Sequence, residues 1–463
     1  METQVVAVAP SNEGRIFALW PEGEKNFQDS NQVVEWLRKQ KNKAEVTVLY
    51  IMGGPGQELF VRIMEMGIPV FHVPIFRAHE STGLVPKASV RERANALLSV
   101  WQENHDFFYP MRDLAPDIEL VRELTRQRLS IQEDRKKATN RLHSALRRLQ
   151  FILPEQGQQL VLLLRENLKK LFKDPEIRER VEAEFERLET EVRLTSRQQA
   201  RLFAIRRLFS NPQSILGAKA DEEELEERIR PFLRGFPIWP WMNPGTDSVL
   251  PAIKGLGPSL GGSIISEIGD IRRFPKRGNL RAYGRFHLRD GAFPKRVKGQ
   301  PSEWNNYFGR AVWLWSTDQA PRYDHVWRLL YLWKKAKELQ KHQEVVPCEV
   351  TDKKGRKRIR YDYTLKHLDA RAKRWLGSQL LNYLFDLWTK FEGGQDLEVW
   401  YSNSTWPDYF ARIEQELGDG LLEYLKSEIP KRRRTEPKPP PEFEEEDYED
   451  EDGGDEDNGD EEE

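Results

Sequence analysis

KGLGPSLGGSIISEIGDIRRF, residues 254–274, is the stretch on which the reading of this chain turns. Gly255 and Gly257 flank one leucine and let the backbone turn tightly into a helix rich in small residues, whose first turn presents bare N–H groups. A helix start of this kind favours anions, phosphate above all. Lys254 precedes the turn, and Arg272, Arg273, Lys276 and Arg277 follow the helix closely. The pattern predicts a helix-hairpin-helix that grips a nucleic-acid backbone through Lys254, Gly255, Gly257 and those four cations. The same letters also fit a glycine turn between two packed helices, with Ile253, Leu256, Ile264 and Ile268 as core.

The surrounding composition favours the first reading. The 463 residues suffice for two or three domains, and 32% charged against 38% apolar residues suits a water-exposed protein with long polar helices. The net charge of -2 hides a segregation: from Pro441 onward the chain holds 16 Asp and Glu and no Lys or Arg. The body before it carries an excess of about 14 positive charges, enough to attract polyanions. One cysteine, Cys348, excludes an internal disulfide and a multi-cysteine zinc site and points to a reducing compartment, the cytoplasm. No apolar run nears the roughly 20 residues of a membrane span, and the N-terminus lacks the pattern of a secretory signal.

Residues 1–112 read as α/β. QVVAVAP (4–10) and RIFALWP (15–21) predict a hairpin, VVEWLRK a helix, EVTVLYIM (45–52) a buried strand, GQELFVRIMEMG a helix closed by Gly67, and PVFHVPI another strand. That order suits an RNase H-like domain, with a doubly wound sheet as the alternative. Residues 113–235 read as a helical stalk. A long helix over 117–150 and a second over about 175–202, with Ile177, Val181, Phe185, Leu188 and Val192 at helical spacing, predict an antiparallel hairpin or a dimerising coiled coil. FPIWPWMNPG (236–245) reads as a linker into an all-α domain over 236–430, in which 361–388 reads as an amphipathic helix or helix pair. Residues 431–463 hold the run KRRR, a proline-rich segment and an acidic tail too charged to fold, placed to compete with nucleic acid for the basic body.

LPAIKGLGPSLGGSIISEIGDIRRFPKRGNLRAYGRFHL (250–288) resembles the C-terminal domain of the IS-one-ten family of insertion-sequence transposases, the bridge recombinases related to Piv DNA invertases. The likeness lies in a glycine hairpin, an EIGDI-RF stretch and the element around Tyr283-Gly284, and the RNase H-like and helical segments before it fit the same layout. The resemblance implies a RuvC-like domain whose four acids hold Mg²⁺, a nucleophilic serine in the C-terminal domain, DNA and a structured guide RNA as partners, and a homo-oligomer. The acidic motifs are degenerate. Ala9 and Tyr50 stand where the family places the first two acids, and Glu92 and Asn95 in VRERANA stand for the last two, so Glu92 is the one carboxylate left for a metal. Asp290 falls near the expected serine, with Ser302 the nearest downstream serine. Two expectations follow: a DNA-binding transposase or recombinase, or a catalytically inactive descendant that binds nucleic acid as an accessory or regulatory protein. No zinc-protease spacing or P-loop offers another chemistry.

Overall fold

The computed structural model describes residues 3–11, 14–52, 57–84, 88–110, 116–150, 158–167, 174–210, 215–245, 247–288, 293–294, 302, 304–323, 325–351 and 357–435. The chain divides into two compact units, one formed by 1–319 with 377–403 and the other by 320–376 with 404–463. The boundaries read from sequence at 112/113 and 235/236 therefore fall inside the first unit.

The first unit opens with β1 (Thr3–Pro10), β2 (Ile16–Trp20), β3 (Gly23–Phe27), α1 (Ser30–Lys41), β4 (Glu45–Met52), α2 (Gln57–Glu65), β5 (Val70–Pro74), α3 (Ile75–Thr82), α4 (Val90–Glu103) and the two-residue β6 (Tyr109–Pro110). The strands form one mixed sheet in the order β3, β2, β1, β4, β5, β6. β1 pairs antiparallel with β2 and β2 with β3, whereas β1 with β4 and β4 with β5 are parallel. Alternation decides the faces. Val6, Val8, Val48 and Tyr50 face a core with Val33, Leu37, Phe60 and Ile63 of α1 and α2. Ala7, Ala9, Leu49 and Ile51 face the opposite core, with Ala94, Leu97 and Val100 of α4. β1 from Val5 onward and β4 from Val48 onward are continuous apolar runs because helices cover both their faces.

The helical remainder of this unit comprises α5 (Pro116–Gln150), α6 (Gln158–Asn167), α7 (Pro175–Thr190), α8 (Ser196–Ser210), α9 (Ile215–Gly235), α10 (Trp239–Met242), α11 (Pro258–Ile268), α12 (Arg277–Tyr283) and α13 (Asn306–Leu314). Three expectations change here. The helix expected over 175–202 stops at Thr190, and α8 starts anew behind Thr195, whose backbone N–H and hydroxyl both donate to the Gln198 side chain. α5 packs chiefly against α9 and α11 rather than pairing with α7 as a two-helix stalk, while α6, α7 and α8 share a small core of Leu164, Val181, Phe185 and Leu202. The segment expected as a linker is packed: Phe236, Ile238 and Met242 are buried.

The second unit holds α14 (Val326–Lys341), the hairpin of β7 (Val346–Thr351) and β8 (Lys357–Asp362), and the start of α15 (Leu365–Glu392), which carries the chain back into the first unit at Gly377. After α16 (Leu397–Ser402) in the first unit, α17 (Trp406–Glu416) and α18 (Leu422–Thr435) complete it. The residues Lys431 to Arg434 continue α18 instead of starting a separate tail. The acidic segment expected to be disordered lies outside the described residues. Among the described residues no helix is long and apolar enough to cross a membrane.

Candidate nucleic-acid interface

Gly255 adopts φ 89°, a left-handed conformation that a side chain would strain, and Gly257 caps α11. Pro258 occupies the first helical turn, where its missing N–H costs nothing, leaving the N–H groups of Ser259 and Leu260 at the helix start. The loop is held from behind. The Ile253 N–H donates to the Met242 carbonyl at 2.9 Å, and the Trp315 indole N–H donates to the Lys254 carbonyl at 2.9 Å. Lys254 and Gly257 are exposed, while α11 is buried from Gly261 to Ile268. Among the described residues nothing between Asn243 and Gly257 is helical, because Pro244, Gly245 and Pro251 interrupt the backbone there. The expected helix-hairpin-helix is thus one buried helix with an exposed, pre-formed glycine loop at its start.

The arginines after α11 serve the fold. Arg273 donates to the Glu267 carbonyl at 2.8 Å and lies over the Phe274 and Tyr283 rings, closing the C-terminal end of α11. Arg272 forks onto the Asp270 carboxylate at 2.9 and 3.1 Å and also reaches Glu392 at 3.2 Å. Its hydrogen bond to Asp270 holds its guanidinium above the ordinary value. Arg277 pairs with the Asp386 carboxylate, itself 10% exposed. Lys276, the N-cap of α12, and Lys254 are exposed and have no acidic partner among the described residues. Of the seven predicted contacts, Lys254, Gly255, Gly257 and Lys276 therefore present themselves to a ligand, whereas three arginines are engaged with the protein.

What sequence reasoning missed is the role of the residue that opens the EIGD stretch. Glu267, 2% exposed, receives Arg126 of α5 in a bidentate pair at 2.7 and 2.8 Å, and Asn305 donates to it at 2.8 Å. Arg122, one helical turn before Arg126, donates through Nε to the Ser266 carbonyl at 2.9 Å. Burial lowers the Arg122 guanidinium, an effect Glu267 opposes. A second hub binds α5 to α9, with Arg135 and Arg128 on Glu222, which is 1% exposed. The only sequence signal was the recurrence of arginines along α5, which composition reads as a solvated face.

The positions matching the acidic motifs do not converge. Ala9 and Tyr50 lie on opposite faces of the sheet, and the β4 residues sharing the face of Ala9 are Leu49 and Ile51. Tyr50 stacks on Phe60 at 4.0 Å, and burial pushes its hydroxyl up to about 12, against the nearby charges of Arg122 and Arg273. Glu92 is exposed and closes a capping box at the start of α4: the Ser89 N–H donates to its carboxylate at 2.7 Å, and its own N–H donates to the Ser89 hydroxyl at 3.2 Å. Hydrogen bonding by Ser89 holds this carboxyl below its usual range. Asn95 is exposed on the same helix, and Ser302 is half-buried. Asp290 lies outside the described residues. Two-metal chemistry needs carboxylates converging on a small volume, and an alanine, a buried tyrosine and a capping glutamate do not fit Mg²⁺. Among the described residues no three His, Cys, Asp or Glu come together as metal ligands. Compared with known proteins, the chain matches no family model and no curated protein sequence.

Proposed function

We propose that this chain is a DNA-binding protein of the IS-one-ten transposase type, built on an RNase H-like N-terminal domain and acting in DNA transposition or site-specific recombination. The observation that carries the reading is the sheet: three antiparallel strands extended by two parallel strands, in the order β3, β2, β1, β4, β5, support an RNase H-like domain. It agrees with the layout that the glycine-loop resemblance implies. The loop from Lys254 to Gly257, exposed at both ends, supports phosphate contact, with Lys276 as a second cation. A structured RNA partner and a homo-oligomer belong to the proposal on the resemblance alone.

A second reading, the inactive accessory protein, is favoured by the opposed faces of Ala9 and Tyr50 and the capping role of Glu92. Both readings are tested by titrating the full chain against unrelated DNA duplexes at about 50 mM salt, then incubating it with supercoiled plasmid and Mg²⁺ or Mn²⁺. Binding of every duplex without metal-dependent strand cleavage is the expected result. No binding overturns the DNA-binding proposal, and cleavage lost on Glu92→Gln restores a working metal site.

A further inference from the structure

Up to Thr435 the second unit carries 22 Lys and Arg against 13 Asp and Glu, so most of the positive excess of the body resides there. Two of its buried or half-buried acids are already matched. Glu338 is met by Lys334 and Arg371 at 2.7 Å each, and Asp369 by Lys373 at 2.7 Å, by Lys335 and by the Tyr331 hydroxyl. Lys353, Lys354, Arg356, Lys357, Arg358 and Arg360 carry much of the surplus, and a further part lies where α14, α15 and α18 meet. Arg432, 8% exposed, donates to the carbonyls of His342 and Tyr363, which fixes the end of α18 beside the end of α14. The His342 ring stacks on Tyr363 at 3.8 Å. Burial lowers the His342 imidazole; Glu338 opposes this, while Arg371, Lys341 and Arg432 add to it. Three cations from three elements thus surround one ring. Lys341, one of these three, and Arg433, next to Arg432 in the chain, are exposed and have no acidic partner among the described residues.

We propose that this cationic end of the second unit, with Lys341 and Arg433 at its surface, is the docking site of the chain's own acidic segment, Glu442–Glu463. The occupant is chosen by charge and by tether. Sixteen acids with no cation begin seven residues after Thr435, where α18 ends, and four of the six residues between are proline. Seven residues span at most about 25 Å, so the first acid of the segment cannot lie farther than that from Thr435. Tethering over so short a span gives an effective concentration on the order of mM. A free polyanion must exceed that to displace the segment, so the tail sets a threshold for any polyanion at this surface. This inference does not rest on the DNA reading.

The test is zero-length carbodiimide crosslinking of the full chain, mixed with an equal amount of ¹⁵N-labelled chain and mapped by mass spectrometry. Crosslinks from carboxylates of 442–463 should concentrate on Lys341 and Lys431, join residues of one isotopic chain, and fall several-fold at about 0.5 M salt. Arg433→Glu, an exposed change that leaves Lys341 in place, should lower the Lys341 yield several-fold. Crosslinks spread over exposed lysines such as Lys39, Lys43 and Lys136, crosslinks between isotopic chains, or an Arg433→Glu yield equal to that of the natural chain would each overturn the proposal.

Discussion

A carboxylate as deeply buried as Glu267 must have its charge met inside the protein, and Arg126 meets it in two hydrogen bonds. Removing the carboxylate leaves Arg122, 17% exposed, without the charge that offsets its burial, and Arg126 and Asn305 without their acceptor. Glu267→Ala should therefore cost about 3–5 kcal/mol, read as a lowered urea midpoint with an unchanged denaturant slope. A midpoint equal to that of the natural chain would remove Glu267 from the fold's supports. His72 makes the second prediction. Burial, then Arg273, pushes its imidazole down to about 3 from 6.5. As pH falls through 6.5 the unfolded chain takes up this proton and the folded one does not, so stability is present above 6.5 and drains away toward 3. The steepest loss from this residue is about 1.4 kcal/mol per pH unit. His72→Gln should show a smaller change in urea midpoint between about pH 7 and pH 4 than the natural chain, and an equal change would contradict the neutral buried ring. Neither role was legible in sequence. The partner of Glu267 lies 141 positions away, and a histidine in an apolar strand looks the same whether or not its neighbours are charged.

At the scale of elements, α11 shows how small residues become contact rather than flexibility. A Cβ on Gly261 would sit 2.6 Å from the Trp239 ring, and one on Gly262 would sit 3.0 Å from Ile229. Gly261→Ala should destabilise by about 1–3 kcal/mol through overpacking, measured as a fall in melting temperature. In α12, where a Cβ on Gly278 would meet only the end of Arg281 at 3.9 Å, Gly278→Ala should be neutral or slightly stabilising. Equal effects at the two glycines would contradict the packing account. The apolar strands β1, β2, β4 and β5 were readable because their burial forces apolar runs and alternation on the sequence. β3 was not: GEKNF is an edge strand that buries Phe27 and exposes Glu24, Lys25 and Asn26, so its composition resembles a turn. The break after Thr190 was readable in principle, since Thr195-Ser-Arg-Gln198 carries the spacing of a capping box, but the apolar periodicity continued across it.

For the whole molecule, the claim is that phosphate is met by an exposed glycine loop and its lysines while the neighbouring arginines hold the fold. The sequence showed the cations of 254–277 but not their partition, because Asp386 and Glu392, which take up Arg277 and Arg272, come more than a hundred residues later. The most direct test measures duplex affinity across a salt series and melting temperature side by side, for Lys254→Ala/Lys276→Ala and for Arg273→Ala. The double lysine variant should keep its melting temperature, bind every duplex more weakly, and lose about two from the slope of log affinity against log salt. Arg273→Ala should lower the melting temperature, since it removes the closure of α11. Unchanged affinity and salt slope in the lysine variant, with a loss of binding in a normally stable Arg273→Ala, would contradict the account.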